Sequence, residues 1–193
     1  MDNQNLDSDV RDLHQRATEA FGQQVHAIRD DQWNAKTPCS EWDVRRLLNH
    51  VVAENRWSPP LLAGRTIEEV GERFDGDVLG GDAKAAWDES AAEAVAAVYA
   101  DGSMERIVHL SFGDFPGREY TMQLFTDLLI HGWDLSRAIG GDERLDPELV
   151  EACGDWFAPM EEAYRSGGAI GPRVDLAANA DAQARLLSMF GRA

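Results

Sequence analysis

Cysteine and lysine are scarce in this chain, and long apolar runs are missing from it. The two cysteines, Cys39 and Cys153, are too few for a disulfide framework and form no CxxC pair of the kind found in zinc ribbons, so reduced thiols are expected. No stretch reaches the length of a membrane span, and Met1 to Val10 is polar and acidic where a signal peptide needs a basic start and an apolar run. A cytoplasmic location is expected. Lysine occurs only at Lys36 and Lys84, and 18 Lys and Arg face 35 Asp and Glu, for a net charge of -17. A protein of that charge repels phosphate polymers, so nucleic acid and anionic membrane are not expected as partners. A small anionic substrate stays open, because a buried cation with nearby arginines outweighs a distant acidic surface. No GxSxG, Walker, Rossmann or HExxH pattern occurs.

What the chain does contain is helical periodicity. Its 193 residues, 44% hydrophobic, suit one domain over 1–193 with a core of its own. Val10, Leu13, Ala17, Ala20, Phe21, Val25 and Ile28 recur at spacings of three and four, which predicts a helix from Asp7 to about Asp31. After Thr37-Pro38, Ser40 stands as an N-cap with Asp43 in the capping-box position, and a second helix is expected from Glu41 or Trp42 to about Trp57, where Ser58-Pro59-Pro60 disfavours its continuation. A short helix is expected near Thr66 to Phe74, and a long one from Asp82 to Tyr99 with Trp87, Ala91, Ala94, Val95 and Val98 inward. Residues 107–112 read as an extended connection or brief hairpin before the turn at Gly113-Asp114-Phe115-Pro116-Gly117. The fourth long helix spans Arg118 or Glu119 to Ile139, and shorter helices follow over Pro147 to Tyr164 and Asp181 to Phe190. The expected architecture is an all-α four-helix bundle over about 7–140, with long crossover connections and short C-terminal helical additions over about 147–190.

Three residues stand out for chemistry. Asp127 and His131 are four apart on a helical run, so their side chains share one face, and His50 lies on or beside the apolar stripe of the second helix. Two imidazoles and a carboxylate turned into one core can hold a divalent ion. Asp127 sits among Leu124, Leu128 and Leu135, where a buried carboxylate is costly unless it is paired or coordinates a cation. Core hydrogen bonding of His50 and a simple helical Asp127–His131 bond are the readings without metal. Glu54, one turn beyond His50, is a candidate base or supporting acid, with simple exposure as its plain alternative. His109 is a further candidate ligand and Cys39 a candidate thiolate ligand or nucleophile, with an inert small side chain as its plain alternative; His14 and His26 on the first helix are adequately explained by solvent or hydrogen bonding. Trp42, Trp57 and Trp133 read as core or rim packing, and Asp134 as a fastening between helices.

Four segments in order, Thr37-Pro38-Cys39-Ser40-Glu41-Trp42-Asp43-Val44-Arg45-Arg46-Leu47-Leu48-Asn49-His50-Val51-Val52, then Phe112 to Gly117, Asp127 to Leu135, and Ala184 to Arg192, resemble the mycothiol-dependent maleylpyruvate isomerase-like proteins of the DinB-like metalloprotein superfamily. The resemblance runs from about Leu13 to the C-terminus. It implies a DinB-like four-helix bundle that binds a divalent metal, usually zinc, through a histidine on the second helix and a carboxylate-x-x-x-histidine pair on the fourth. Those positions are His50, Asp127 and His131 here. The isomerase has glutamate where this chain has Asp127, and a further C-terminal domain that contributes to its active site, so isomerisation of maleylpyruvate itself does not carry over with the resemblance.

Three protein ligands leave an open position, the pattern of a catalytic zinc site rather than a structural one. Imidazole and carboxylate also suit nickel, iron and manganese. With the thiol cosubstrate that the resemblance implies, mycothiol or a relative, the expected activity is thiol transfer to a small electrophile, or isomerisation if the thiol leaves again. Metal-dependent hydrolysis and a non-catalytic, stress-associated metal-binding module are the alternatives. The expected partners are a small substrate and a thiol, and homodimerisation is left open.

Overall fold

The computed structural model describes residues 3–39 and 42–193, with side chains described from residue 10 onward. The chain is mostly helical with one two-stranded sheet, and it divides into two compact units, Met1–Gly141 and Asp142–Ala193. The sheet qualifies the all-α expectation.

In the first unit, helix α1 (Asn3–Ala27) buries His14, Ala17, Thr18, Phe21 and Val25 on one stripe. It ends a turn earlier than the periodicity predicts. Lys84 donates from its ammonium to the carbonyls of His26 and Ile28 at 3.1 and 2.8 Å, taking up acceptors that further helix would have used. A 3₁₀ turn follows at Asp30–Gln32, and buried Gln32 donates to Ile139 O at 2.8 Å.

Helix α2 (Val44–Leu62) departs from expectation at both ends. Asp43 is itself the N-cap, accepting from Arg46 N at 2.9 Å, whereas the expected cap Ser40 lies outside the described residues. At the other end the helix runs straight through Pro59 and Pro60. Pro59 has no N–H for the carbonyl of Asn55, and the buried Ser58 hydroxyl donates to that oxygen instead, at 2.8 Å. The predicted helix near Thr66 is a single turn, α3 (Ile67–Val70), closed by a Thr66/Glu69 capping box and stopped at Gly71, whose φ of 63° is left-handed. Helix α4 (Ala83–Tyr99) begins at its Asp82 cap as expected.

Strands β1 (Ile107–Leu110) and β2 (Gly113–Pro116) form an antiparallel hairpin in which Val108 faces Phe115. Helix α5 (Gly117–Ile139) follows at once. A side chain at Gly117 would place Cβ 1.8 Å from Ser103 O, so only glycine admits this entry. The helix ends at Gly140, left-handed with φ 69°, as its Gly-Gly signal predicts. Helices α1, α4, α2 and α5 pack pairwise, α1 on α5 and α4, and α2 on α4 and α5. Leu61, Leu62, Val98, Met104, Val108, Tyr120 and Leu124 form an apolar cluster among α2, α4, α5 and β1.

The second unit carries α6 (Pro147–Phe157), α7 (Glu161–Ser166) and α8 (Ala182–Met189). The single helix expected over Pro147 to Tyr164 is split, because Pro159 offers no N–H and Met160 N closes a turn on Phe157 O at 2.9 Å. Phe157 stacks on Phe190 with ring centres 4.2 Å apart, and α6 packs on α8. Among the described residues, no helix is long and apolar enough to cross a membrane.

Candidate metal centre

His50, Asp127 and His131 converge, with ligand atoms all within 4.8 Å of one another. Helix α2 supplies the first and α5 the other two, which its four-residue spacing sets one above the other. His50 Nε2 is 3.2 Å from Asp127 Oδ2, and His131 Nε2 is 3.4 Å from Asp127 Oδ1. Both histidines therefore turn the same ring nitrogen toward one carboxylate. The His131 ring is held in that attitude from behind, where Nδ1 lies 3.0 Å from Oδ2 of fully buried Asp134. A carboxylate behind a histidine fixes its tautomer with Nδ1 protonated and frees Nε2 to bind a metal.

The electrostatics of the cluster are those of charges taken out of water together. Burial works to raise the Asp127 carboxyl, but the His131 and His50 imidazoles beside it hold it well below the ordinary carboxylate range. Burial works to lower His131, and Asp127 and then Asp134 outweigh it, lifting the imidazole to about 9. His50 is likewise raised by Asp127 against its burial. Glu54, one helical turn from His50, is pushed up by burial and by the charge of Asp127. Burial, then Glu54 and Asp127, raise Tyr120 well above its ordinary value.

These residues fit a divalent ion. Asp127 Oδ2 is buried and accepts no well-aligned hydrogen bond, although His50 Nε2 is close by. The His50 Nε2 hydrogen bond goes to the other oxygen, Oδ1, at 3.4 Å, so Oδ2 has an ion-pair contact but no hydrogen bond and keeps acceptor capacity for a cation. Two imidazole nitrogens and a carboxylate make a donor set suited to zinc and its neighbours. The ligands also leave room for access, since the side chains of His50 and Asp127 are 28% and 30% exposed and that of His131 is 10%.

Other candidates lie elsewhere. His109 pairs with Asp114 at 2.8 Å within the hairpin, and His26 with Asp88 at 2.9 Å on the surface. His14 is fully buried with neither ring nitrogen partnered, so hydrogen bonding does not account for it as expected. Cys39 lies on the connection before α2, outside the converging group. Two contributors escaped the sequence reading. Asp134, read as a fastening between helices, is the partner of His131, and its spacing of three residues on one helix was the available signal. Trp42, read as packing at the start of the second helix, instead precedes the helix and lies against both His50 and His131, a contact that no local pattern marks.

The family model described as the mycothiol maleylpyruvate isomerase N-terminal domain matches residues 14–136, a span that includes every member of this cluster. Two curated relatives from Mycobacterium tuberculosis, the uncharacterized protein MT0763 of strain CDC 1551 / Oshkosh and the uncharacterized protein Rv0738 of strain ATCC 25618 / H37Rv, are each 38% identical over 141 residues. Each alignment covers 71% of this chain and 71% of the relative. No solved structure matches the chain significantly.

Proposed function

This chain belongs to the mycothiol maleylpyruvate isomerase N-terminal domain family, and on that premise we propose that it binds a divalent metal and, with a low-molecular-weight thiol of the mycothiol type, acts as a transferase or isomerase on a small electrophile. The observation that carries the reading is the convergence of His50, Asp127 and His131 around a buried carboxylate oxygen without a hydrogen bond. In this reading the first unit is a DinB-like four-helix bundle, and His50, Asp127 and His131 are the ligands of a zinc ion. The ion supplies Lewis acidity, lowering the pKa of a thiol or water that joins it.

The protein's own groups have distinct tasks. His131 is held as a Nε2 ligand by Asp134, so the site is organised before anything enters it. Glu54 is placed on the His50 face of α2, and its raised pKa suits a carboxylate that accepts the thiol proton. The sulfur then forms a bond to the electrophilic carbon. In transfer a leaving group departs with the electron pair of its broken bond; in isomerisation the C=C π pair of a conjugated electrophile moves onto its carbonyl as the C–S bond forms, the new single bond rotates, and the π bond re-forms as the thiolate leaves and takes back its proton from Glu54. The exposed side of His50 and Asp127 is the entry for both partners.

The test is incubation of zinc-loaded and metal-stripped protein with mycothiol and a small alkylating electrophile such as monochlorobimane, with conjugate measured by mass spectrometry. Conjugation above the uncatalysed rate that disappears with the metal and in Glu54→Gln supports the reading. Metal uptake without turnover over a broad electrophile panel favours a non-catalytic binding module.

A further inference from the structure

Among the described residues, Trp42 is the one aromatic side chain that lies against both histidines of the cluster. Its ring centre lies 4.7 Å from that of His50 and 5.4 Å from that of His131, tilted by 38° to each, while the two imidazoles meet edge to face at 5.2 Å. The indole thus spans both rings. Its backbone is pinned by the connection that carries it. Trp42 N donates to Cys39 O at 2.8 Å, and Trp42 O accepts from the amide and hydroxyl of Thr37 at 3.2 and 2.9 Å. The next residue, Asp43, caps the helix bearing His50. The backbone that carries the indole is therefore anchored beside the cluster, and the residue is only half-buried, against the more exposed of the two histidines.

A rigid, partly uncovered aromatic surface beside an accessible metal-ligating group is suited to recognition, because indole offers a large stacking area at little cost in conformational freedom. We propose that Trp42 is the specificity wall of this site. It selects exogenous ligands that carry an aromatic or planar conjugated group next to the head that joins the ion, and so assigns the small electrophile to that class. The inference rests on the reading of His50, Asp127 and His131 as metal ligands.

The probes are acetohydroxamate and benzohydroxamate, which share a metal-binding head and differ by methyl against phenyl. Each is titrated into cobalt-loaded full-length protein and followed by the visible ligand-field bands, for wild type, Trp42→Phe, Trp42→Leu and Trp42→Ala. Wild type is expected to bind benzohydroxamate about tenfold more tightly than acetohydroxamate, the equivalent of about 1.4 kcal/mol. Trp42→Phe keeps most of that preference, whereas Trp42→Leu, which retains apolar bulk without a ring, loses it at unchanged cobalt stoichiometry. Trp42→Ala follows Trp42→Leu. Equal preference in wild type and Trp42→Leu, or no preference in wild type, overturns the inference while leaving the metal site intact. A wild-type protein that takes up no cobalt overturns the metal-site reading and this inference with it.

Discussion

His131 and Asp134 form a buried pair, with Nδ1 3.0 Å from Oδ2 and the carboxylate sealed from solvent. This fixes the histidine's orientation before any ion arrives. Asp134→Asn keeps the shape but removes the negative charge, and is expected to weaken metal affinity by roughly 10- to 100-fold without abolishing binding. Competition against a chromophoric chelator measures it. Unchanged affinity would mean that packing alone orients the ring.

The charge environment of His131 also gives metal binding a pH dependence. The His131 imidazole, held up to about 9 chiefly by Asp127 against its burial, must lose its proton to become a ligand. Affinity therefore rises with pH up to about 9. The metal-free protein behaves in the opposite sense. Its folded state holds the His131 proton more tightly than the unfolded chain does, so that contribution is complete below about 6.5 and is lost as pH rises towards 9. Urea unfolding of stripped protein at pH 6.5 and 9 should show the loss, and His131→Gln should flatten it.

His14 works against stability at the other end of the scale. Burial lowers its imidazole from 6.5 to about 4, and neither ring nitrogen has a partner. The unfolded chain binds the proton first, so stability falls as pH drops from about 6.5 to about 4. His14→Leu removes a buried group without hydrogen bonds, and is expected to raise the unfolding midpoint in urea at pH 5 more than at pH 7.5. Equal shifts at the two pH values would count against titration of His14.

Ser58 lets α2 continue through its prolines by donating to Asn55 O. Ser58→Ala leaves that buried carbonyl unpaired and should destabilise the protein by about 1–3 kcal/mol. Gly117→Ala, whose methyl would meet Ser103 O at 1.8 Å, should do greater harm, with a reduced folded yield. Thermal denaturation compares the two directly, and a stable Gly117→Ala protein would mean that the hairpin-to-helix entry can shift.

Legibility from sequence followed from how local the cause was. Asp127 and His131 share a face by helical period alone, and His50 was found by its place beside an apolar stripe; the structure brings all three together. The caps at Asp82 and Gly140 were equally readable, since each depends on one or two neighbouring residues. The failures came where a distant group decided the outcome. Lys84 ends α1 from another helix, and the Trp42 contact with two histidines depends on how the connection folds back. Ser58 was local, but a proline pair is a strong breaker signal, and only a compensating hydroxyl at the right rotamer overrules it.

The most direct test of the account is the metal content of protein purified without an affinity tag or added chelator, for wild type, His50→Ala, Asp127→Ala and His131→Ala, with circular dichroism to confirm that each is folded. The account predicts about one equivalent of divalent metal in wild type, as isolated or after reconstitution, and its loss in all three folded variants. A wild type that holds no metal under either condition, or variants that keep it, would contradict it.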